Sequence, residues 1–444
     1  MVNLKGSKAR LRASVTTLGC RLNQAESQII REKLEVGGYD LVPFGEAADL
    51  GIINTCTVTR EADAKCRKMI RQFVRRNPQA FTAVIGCYSQ MGAKAIASIP
   101  GVDLIIGNQD KLSVVDYAHL GKNAKPVIVR DRIDRKDFSI QFVGDLPFDK
   151  RANLKIQDGC DFLCSFCIIP FARGRARARQ WENTLDEARA AVAKGVRELV
   201  LTGVNIGTYL HNDHDIVDLV DALNEIPGLL RVRISSIEPT TVPWGLIERM
   251  GDPGHVLLPY LHLPLQAGCD QTLEAMRRRY TKKEYADFVQ RAVAQVPDLC
   301  VGTDILVGFN GETEADFEET CQFFLDLPFV YTHVFPYSER EGTLSVKRSN
   351  DVVPIDERNR RCLQLRRLNS QKRYDFMQRY LGQEMNVLLE DPRDGRFPGY
   401  TANYIRVLTD SPEGHDIRNQ LVRVRLEQIS ADFVEGPIVD FVRS

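Results

Sequence analysis

Three cysteines fall close together in the run Gly159-Cys160-Asp161-Phe162-Leu163-Cys164-Ser165-Phe166-Cys167, a C-x3-C-x2-C spacing. Thiols this close cannot all pair as disulfides, and they suit a soft metal centre held by sulfur. A 4Fe-4S cube has four iron corners, so three cysteines leave one iron open to a substrate or cofactor. The other reading of the triplet is a structural zinc whose fourth ligand is a distant histidine. Zinc sites, however, more often use the C-x2-C pair twice.

The rest of the composition limits where such a centre sits. A chain of 444 residues is too long for one ordinary core, and two to four domains are expected. Hydrophobic content of 43% and charged content of 27% describe a globular protein. The 59 basic and 59 acidic residues cancel, so global charge gives no sign of a nucleic-acid partner, and only local clustering can. No apolar run approaches the roughly 18 residues that span a bilayer, and no membrane association is expected. Met1 to Arg12 is basic, but no apolar segment follows as a signal peptide requires. Eleven cysteines without an export signal point to a reducing cytoplasm and to metal rather than disulfides.

Hydrophobic periodicity divides the chain. Residues 12–120 alternate short apolar runs (Ser14–Leu18, Leu50–Ile53, Thr82–Ile85, Val102–Ile106) with helical patterns (Gln24–Gly37, and a basic stretch from Ala62 to Arg76). That rhythm predicts an open, parallel, flavodoxin-like α/β sheet. Residues 121–150 are irregular and charged, and read as a linker. Within 151–375, strands fit at Leu154–Gln157, Glu198–Thr202, Arg231–Ser235, Tyr260–Leu265, Gly302–Val307 and Tyr331–Phe335. Helices fit between them, at Thr184–Lys194, Ile216–Glu225, Pro243–Met250, Gln271–Gln295 and Glu314–Leu325. Six βα units predict a partial (βα)6 barrel, with ligands at the carboxyl ends of its strands. Arg358, Arg360, Arg361, Arg366, Arg367, Lys372, Arg373 and Arg379 make 357–380 a basic helical stretch. From 376 to 444 short strands (Met385–Leu389, Tyr400–Leu408, Leu421–Leu426, Phe433–Val434) predict a small β-barrel.

A second cysteine set emerges from this reading. Cys20, Cys56 and Cys87 each follow an expected strand by one to three residues. Strand carboxyl ends of a parallel sheet share one edge, so the three thiols converge there. Any one of them alone is better read as a buried hydrophobe; together they favour a shared metal centre. Glycine precedes two of them, Gly19 and Gly86, and allows close backbone approach.

Two three-cysteine sets followed by a β-rich tail resemble the methylthiotransferase family of radical S-adenosylmethionine (radical SAM) enzymes over almost the whole chain. The first domain carries this through Thr17–Gln24, Asn54–Thr59 and Gly86-Cys87-Tyr88. The middle domain carries it through Cys160–Arg175, Leu201–Gly207, Ser235–Pro239, His262–Gln266, Met276–Thr281 and Val307-Gly308-Phe309. The tail resembles a TRAM domain, an RNA-binding β-barrel. Asn54–Thr59, Ser235–Pro239 and Gly399–Tyr404 are most similar to the MtaB-like branch, which adds a methylthio group to C2 of N6-threonylcarbamoyladenosine beside the tRNA anticodon. Two positions depart from the family pattern: Asn310 in place of proline and Ala267 in place of serine.

The resemblance implies two 4Fe-4S clusters, one on Cys160, Cys164 and Cys167, which cleaves S-adenosylmethionine to a 5′-deoxyadenosyl radical. The other, on Cys20, Cys56 and Cys87, presents sulfur that is methylated by a second S-adenosylmethionine. Adenine C2 bears a C–H bond that acid–base residues cannot open, which is why radical chemistry is needed. Phe166, Gly203, Asn205, Ser235, Ser236, Glu238, Val307 and Gly308 are the implied S-adenosylmethionine contacts, with loop capping as the plainer role for the polar ones. His262 and Gln266 flank the end of the fourth strand, where substrate contact and a satisfied structural histidine are equal readings. Arg173, Arg175, Tyr400, Tyr404 and Arg406 are the expected RNA contacts, by phosphate neutralisation and stacking; Arg277–Arg279 read as a solvated face. The implied partners are a tRNA anticodon stem-loop, a flavodoxin- or ferredoxin-type electron donor and a sulfur donor. Competing readings are methylthiolation of N6-isopentenyladenosine in tRNA or of a ribosomal protein aspartate, and a non-catalytic iron–sulfur RNA-binding adaptor.

Overall fold

Leu50–Thr55 and Phe81–Gly86 are buried at every position, the pattern of central strands covered on both faces. In the computed structural model, which describes residues 10–142, 151–347, 351–411 and 415–442, they form the middle of a six-stranded sheet. Its strands are β1 (Arg12–Thr17), β2 (Asp40–Leu41), β3 (Leu50–Thr55), β4 (Phe81–Gly86), β5 (Leu104–Ile106) and β6 (Val127–Val129). The order is β2-β1-β3-β4-β5-β6 and every pairing is parallel, the flavodoxin-like arrangement expected from the sequence. Helices α1 (Arg21–Val36), α2 (Arg60–Arg76) and α3 (Cys87–Ala97) make the crossovers. Helix α2 starts where the Thr59 side chain accepts from Ala62 N, carries Glu61 and Asp63 in its first turn, and ends on Arg75 and Arg76. Each end thus complements the helix dipole. Two apolar cores form, one around Val15, Ile30, Leu34 and Ile52, the other around Ile53, Phe73, Val84 and Ile96.

Residues 121–142 are more tied down than their composition implies. They supply β6, and the backbone of Phe138 pairs with Ala178 and Gln180. The rest of the expected linker, 143–150, lies outside the described residues. By their contacts the residues divide into two units. The first takes in Met1–Pro147, Asp158–Phe162 and Cys167–Asn183, and the second the remainder.

The second unit contains β7 (Arg151–Lys155), β8 (Glu198–Thr202), β9 (Arg231–Ile234), β10 (Tyr260–His262), β11 (Cys300–Val307) and β12 (Phe329–Pro336). These six strands pair in parallel, β9-β8-β7 on one side and β10-β11-β12 on the other. A bridge from Ser236 to His262 joins the two halves, completing the partial (βα)6 arc. The chain also contains α4 (Ile169–Arg173), α5 (Trp181–Ala193), α6 (Ile216–Asn224), α7 (Trp244–Gly251), α8 (Asp270–Ala275), α9 (Lys282–Gln295) and α10 (Glu314–Asp326). The single helix expected over Gln271–Gln295 is broken in two. Arg277 takes φ +59°, and Thr281 with Glu284 forms a capping box that restarts the chain as α9.

Helix α11 (Ile355–Gln378) leads into a C-terminal, seven-stranded mixed sheet. Its core (Val387, Leu389, Val407, Val422, Val424) is completed by Phe376, Met377 and Tyr380. The strand expected over Tyr400–Leu408 is instead a hairpin, Phe397–Thr401 and Arg406–Thr409. Tyr404 turns the chain with φ +68°, and Thr401 Oγ1 accepts from Ile405 N at 2.9 Å.

That hairpin packs where β8 and β9 begin. Glu198 is buried and accepts from Arg233 Nε at 3.1 Å, with Arg231 and Arg151 each 3.9 Å away. Burial pushes the Glu198 carboxyl up, but the three arginines outweigh it and hold the group below the usual carboxylate range. The same arginines reach on to the hairpin. Arg231 donates to the carbonyls of Tyr400 and Asn386, and Arg233 to those of Ala402 and Thr401. Among the described residues no helix is long and apolar enough to cross a membrane.

Candidate metal and cofactor site

In the first unit the register pairs Thr17 with Asn54 and Thr55 with Gly86. The loops that follow β1, β3 and β4 therefore leave the sheet side by side, and they carry Cys20, Cys56 and Cys87. Gly19 adopts φ +111°, and a Cβ there would lie 2.9 Å from Cys56 Cβ. Gly86 adopts φ +95°, and a Cβ there would lie 2.4 Å from Asn54 Oδ1. Both glycines are required by a close approach between neighbouring strand ends. Burial, reinforced by Cys87, Cys20 and Cys66, pushes the Cys56 thiol up to about 12. Without a metal, three thiolates so close are unfavourable; a cation that binds them as thiolates reverses the sign.

Beneath this edge lies a buried ion network that sequence reading missed. Arg173, expected to touch RNA, is 1% exposed. It donates to Glu26 Oε1 at 3.1 Å, Asp158 Oδ1 at 3.0 Å and Asn23 Oδ1 at 2.5 Å. Burial disfavours its charge, but the neighbouring Cys87, Glu26, Asp158 and Cys20 outweigh that and strengthen its hold on the proton. Asn23 Nδ2 donates to the carbonyls of Leu18 and Thr55, next to Gly19 and Cys56. Lys111 donates to Glu26 at 2.5 Å and to Asn108 Oδ1 at 2.7 Å. Asn108 Nδ2 in turn donates to Ala172 O at 2.6 Å and lies 3.5 Å from Cys87 Sγ. Asp158 stands two residues before Cys160 and Arg173 six after Cys167. One cation thus joins both ends of the C-x3-C-x2-C loop to the strand ends that carry the other three thiols.

The contacts divide that loop itself, with Cys160 and Cys167 in the first unit and Cys164 in the second. Arg278 Nη1 lies 3.2 Å from Cys164 Sγ and 3.1 Å from Glu238 Oε1, and Nη2 donates to Glu238 Oε2 at 2.5 Å. Arg278 is therefore buried in an ion pair and is no part of a solvated face. Its three-arginine run hid this. Burial raises the Cys164 thiol, and the Arg278 charge draws it back toward the thiolate.

The expected cofactor contacts separate into two groups. Asn205 Oδ1 accepts from Glu238 N at 3.1 Å and Thr241 Oγ1 at 3.0 Å, tying the loop after β8 to that after β9. Its Nδ2, like Ser235 Oγ, is buried without a hydrogen bond. Two such atoms at adjacent strand ends suit a polar ligand, so these residues fit an S-adenosylmethionine pocket. Gly203 is close-packed on Gln157; Ser236 spends its backbone on the bridge to His262, and Glu238 its carboxylate on Arg278. Phe166 packs edge-on against Phe309, centroids 6.3 Å apart. Val307 is fully buried. Gly308, at φ +73°, is needed because a Cβ there would lie 2.3 Å from Arg358 Cγ.

One of the expected RNA contacts needs correction. Arg173 lies in the core, as do Arg177 and Arg179 of the same run; only Arg175 is exposed, paired with Asp161 at 3.3 Å. Tyr400 and Tyr404 stack on each other at 4.8 Å, and Tyr404 packs tilted against Tyr260 at 4.6 Å. Arg406 lies over the Phe433 ring. In α11, Arg358 and Arg361 are buried against Glu339 and Glu312, and Arg360 pairs with Glu314 and Glu357. Much of the helix's charge is neutralised internally.

An iron–sulfur type of cysteine loop on a six-stranded parallel arc, together with a second cysteine triplet on a flavodoxin-like edge, defines a radical SAM enzyme with an auxiliary metal-binding domain. The Radical SAM superfamily profile matches residues 154–324, and that of Uncharacterized protein family UPF0004 matches 12–107. A Bacillus subtilis protein named threonylcarbamoyladenosine tRNA methylthiotransferase MtaB is 35% identical, over 96% of each chain. Its Aquifex aeolicus namesake is 34% identical over 93% of this chain and 100% of its own. A tRNA-2-methylthio-N(6)-dimethylallyladenosine synthase of Roseobacter denitrificans is 33% identical over 87% and 88%. Among solved structures, the radical S-adenosylmethionine methyltransferase TsrM of Kitasatospora setae shares the fold, with TM-score 0.53 at 15% identity over 74% and 73% of the chains. The chain belongs to the methylthiotransferase family of radical SAM enzymes.

Proposed function

We propose that this enzyme adds a methylthio group to C2 of N6-threonylcarbamoyladenosine at position 37 of tRNA. The observation that carries the reading is the pair of three-cysteine sets on strand carboxyl ends, in a chain that matches proteins of that name from end to end. In this reading Cys160, Cys164 and Cys167 hold one 4Fe-4S cluster and Cys20, Cys56 and Cys87 the other. When bound, the first supplies the electron that cleaves S-adenosylmethionine and the second the sulfur. The chain's own residues do the positioning. Arg278 bonds Cys164 Sγ, opposing the rise that burial imposes on this thiol, and orders Glu238, and Asn205 Nδ2 and Ser235 Oγ offer unspent hydrogen bonds to the cofactor. The C-terminal sheet serves as a TRAM-like RNA-binding module and Arg175 as a phosphate contact. A flavodoxin- or ferredoxin-type reductant, a sulfur donor and a cytoplasmic location complete the proposal.

The test is anaerobic reconstitution followed by iron counting and nucleoside mass spectrometry. About eight irons per chain are expected, as is conversion of a threonylcarbamoylated stem-loop RNA to its 2-methylthio form. Cys164→Ala is expected to abolish 5′-deoxyadenosine release. Cys56→Ala is expected to retain it and lose methylthio transfer. Conversion only of an isopentenylated RNA would overturn the substrate assignment.

A further inference from the structure

The middle of the parallel arc carries a polar cluster that the cysteine chemistry does not use. Asp304 on β11 accepts from His262 Nε2 of β10 and from His333 Nδ1 of β12, both at 3.2 Å. Tyr331 Oη lies 3.1 Å from the other ring nitrogen of His262, and 2.5 Å from Tyr260 Oη. Burial pushes the Asp304 carboxyl up, but the two imidazoles outweigh it and hold the group well below the usual carboxylate range. His262 and Asp304 are thereby fixed, one almost wholly buried. His333 is different, with its side chain 59% exposed. Tyr331, His333 and Phe335 alternate along β12 with neighbouring rings, at 5.4 and 6.3 Å, so they share a face with His262, whose ring lies 5.4 Å from that of His333. A cavity of about 180 Å³ adjoins, lined by His333, Tyr331, Asn369, Arg373 and Arg406 among others.

We propose that His333, held by Asp304 and backed by His262, recognises the anionic threonylcarbamoyl substituent of the substrate base. The inference rests on the substrate reading above. The substituent carries a carboxylate, a hydroxyl and a ureido N–H; His333, with Nδ1 spent on Asp304 and its side chain exposed, turns Nε2 to these groups, and Arg373 and Arg406 line the adjoining cavity. An isopentenyl group satisfies none of these. His333 stands three residues before the end of β12 at Pro336, or about 10 Å along a strand. A base presenting C2 at the strand ends can extend its N6 substituent inward over that distance. A site built to bond polar groups rejects an analogue that lacks them, because its own groups are then left unpaired.

The test compares holoenzyme and His333→Ala on three otherwise identical stem-loop RNAs, bearing threonylcarbamoyladenosine, isopentenyladenosine or unmodified adenosine. Exposure of His333 makes the variant's folding safe, and circular dichroism with iron content checks it. Binding by fluorescence anisotropy is expected to show a wild-type preference for the threonylcarbamoylated RNA of tenfold or more, collapsing to within about twofold in the variant. KM is expected to rise more than kcat falls. A variant that keeps the wild-type preference overturns the inference and leaves the substrate reading standing. A wild type that acts only on the isopentenylated RNA overturns both. A stoichiometric metal other than iron, lost with His333, also overturns it, since the three side chains would then be ligands.

Discussion

Each unit buries carboxylates among cations, and the two clusters do different work. In the first, Arg173 closes on Glu26 and Asp158, and Lys111 on Glu26, at the carboxyl ends of the strands, within the electrostatic reach of Cys20 and Cys87. In the second, Arg151, Arg231 and Arg233 close on Glu198 at the amino ends, and their remaining donors hold a hairpin of the C-terminal sheet. Both clusters repay desolvation only through near-complete hydrogen bonding. Their position relative to strand polarity decides the rest. The chemistry of a parallel sheet gathers at the carboxyl edge, so the first network shapes the site and the second anchors a domain.

Arg173→Met tests this most severely. It leaves Glu26 and Asp158 buried with less compensation, for an expected loss of about 3–5 kcal/mol. Methylthio transfer is expected to fall more than a hundredfold, read by product mass spectrometry beside thermal unfolding. Arg233→Met is expected to cost a similar stability and to expose the 401–405 turn to proteolysis, while 5′-deoxyadenosine release stays within about threefold of wild type. Equal loss of that release in the two variants would erase the distinction between the clusters. A milder probe is pH. Glu198 titrates below its unfolded value, so its contribution is complete above about pH 4.5 and is lost as pH falls through the folded value. Melting temperatures are expected to run parallel for wild type and Glu198→Gln above about pH 4.5, with the variant lower, and to fall less steeply for the variant below it. The smallest effect concerns charge at the surface. Arg175→Ala is expected to lower the slope of log RNA affinity against log salt by about one, and Arg173→Met to leave that slope unchanged.

What was readable beforehand follows the same division. Strand ends and cysteine spacing are local patterns, so both thiol sets, the parallel sheet and the six-strand arc could be written down from the sequence. Asn205 and Ser235 were found through family motifs, and their unpaired atoms agree with a ligand. The arginines misled because charge is read as exposure. Nothing near Arg173 in sequence announces Glu26, which lies 147 positions away. Tyr400 and Tyr404 are ambiguous for a related reason. An aromatic residue serves a base or a neighbouring ring equally well, and the packing of Tyr404 on Tyr260 and Arg233 shows only once the chain has folded. The break between α8 and α9 was visible in Thr281 and Glu284, three residues apart, a capping signature that the longer helical pattern obscured.

The first unit is not continuous along the polypeptide. Its core is finished by two short stretches, 158–162 and 167–183, that arrive after the chain has begun another sheet. A fragment cut after residue 142 would keep Glu26, Lys111, Cys20, Cys56 and Cys87, yet face them with an empty socket where Arg173 belongs. This half of the enzyme therefore cannot be exchanged between proteins as a cassette; any transplant must bring the downstream patch along.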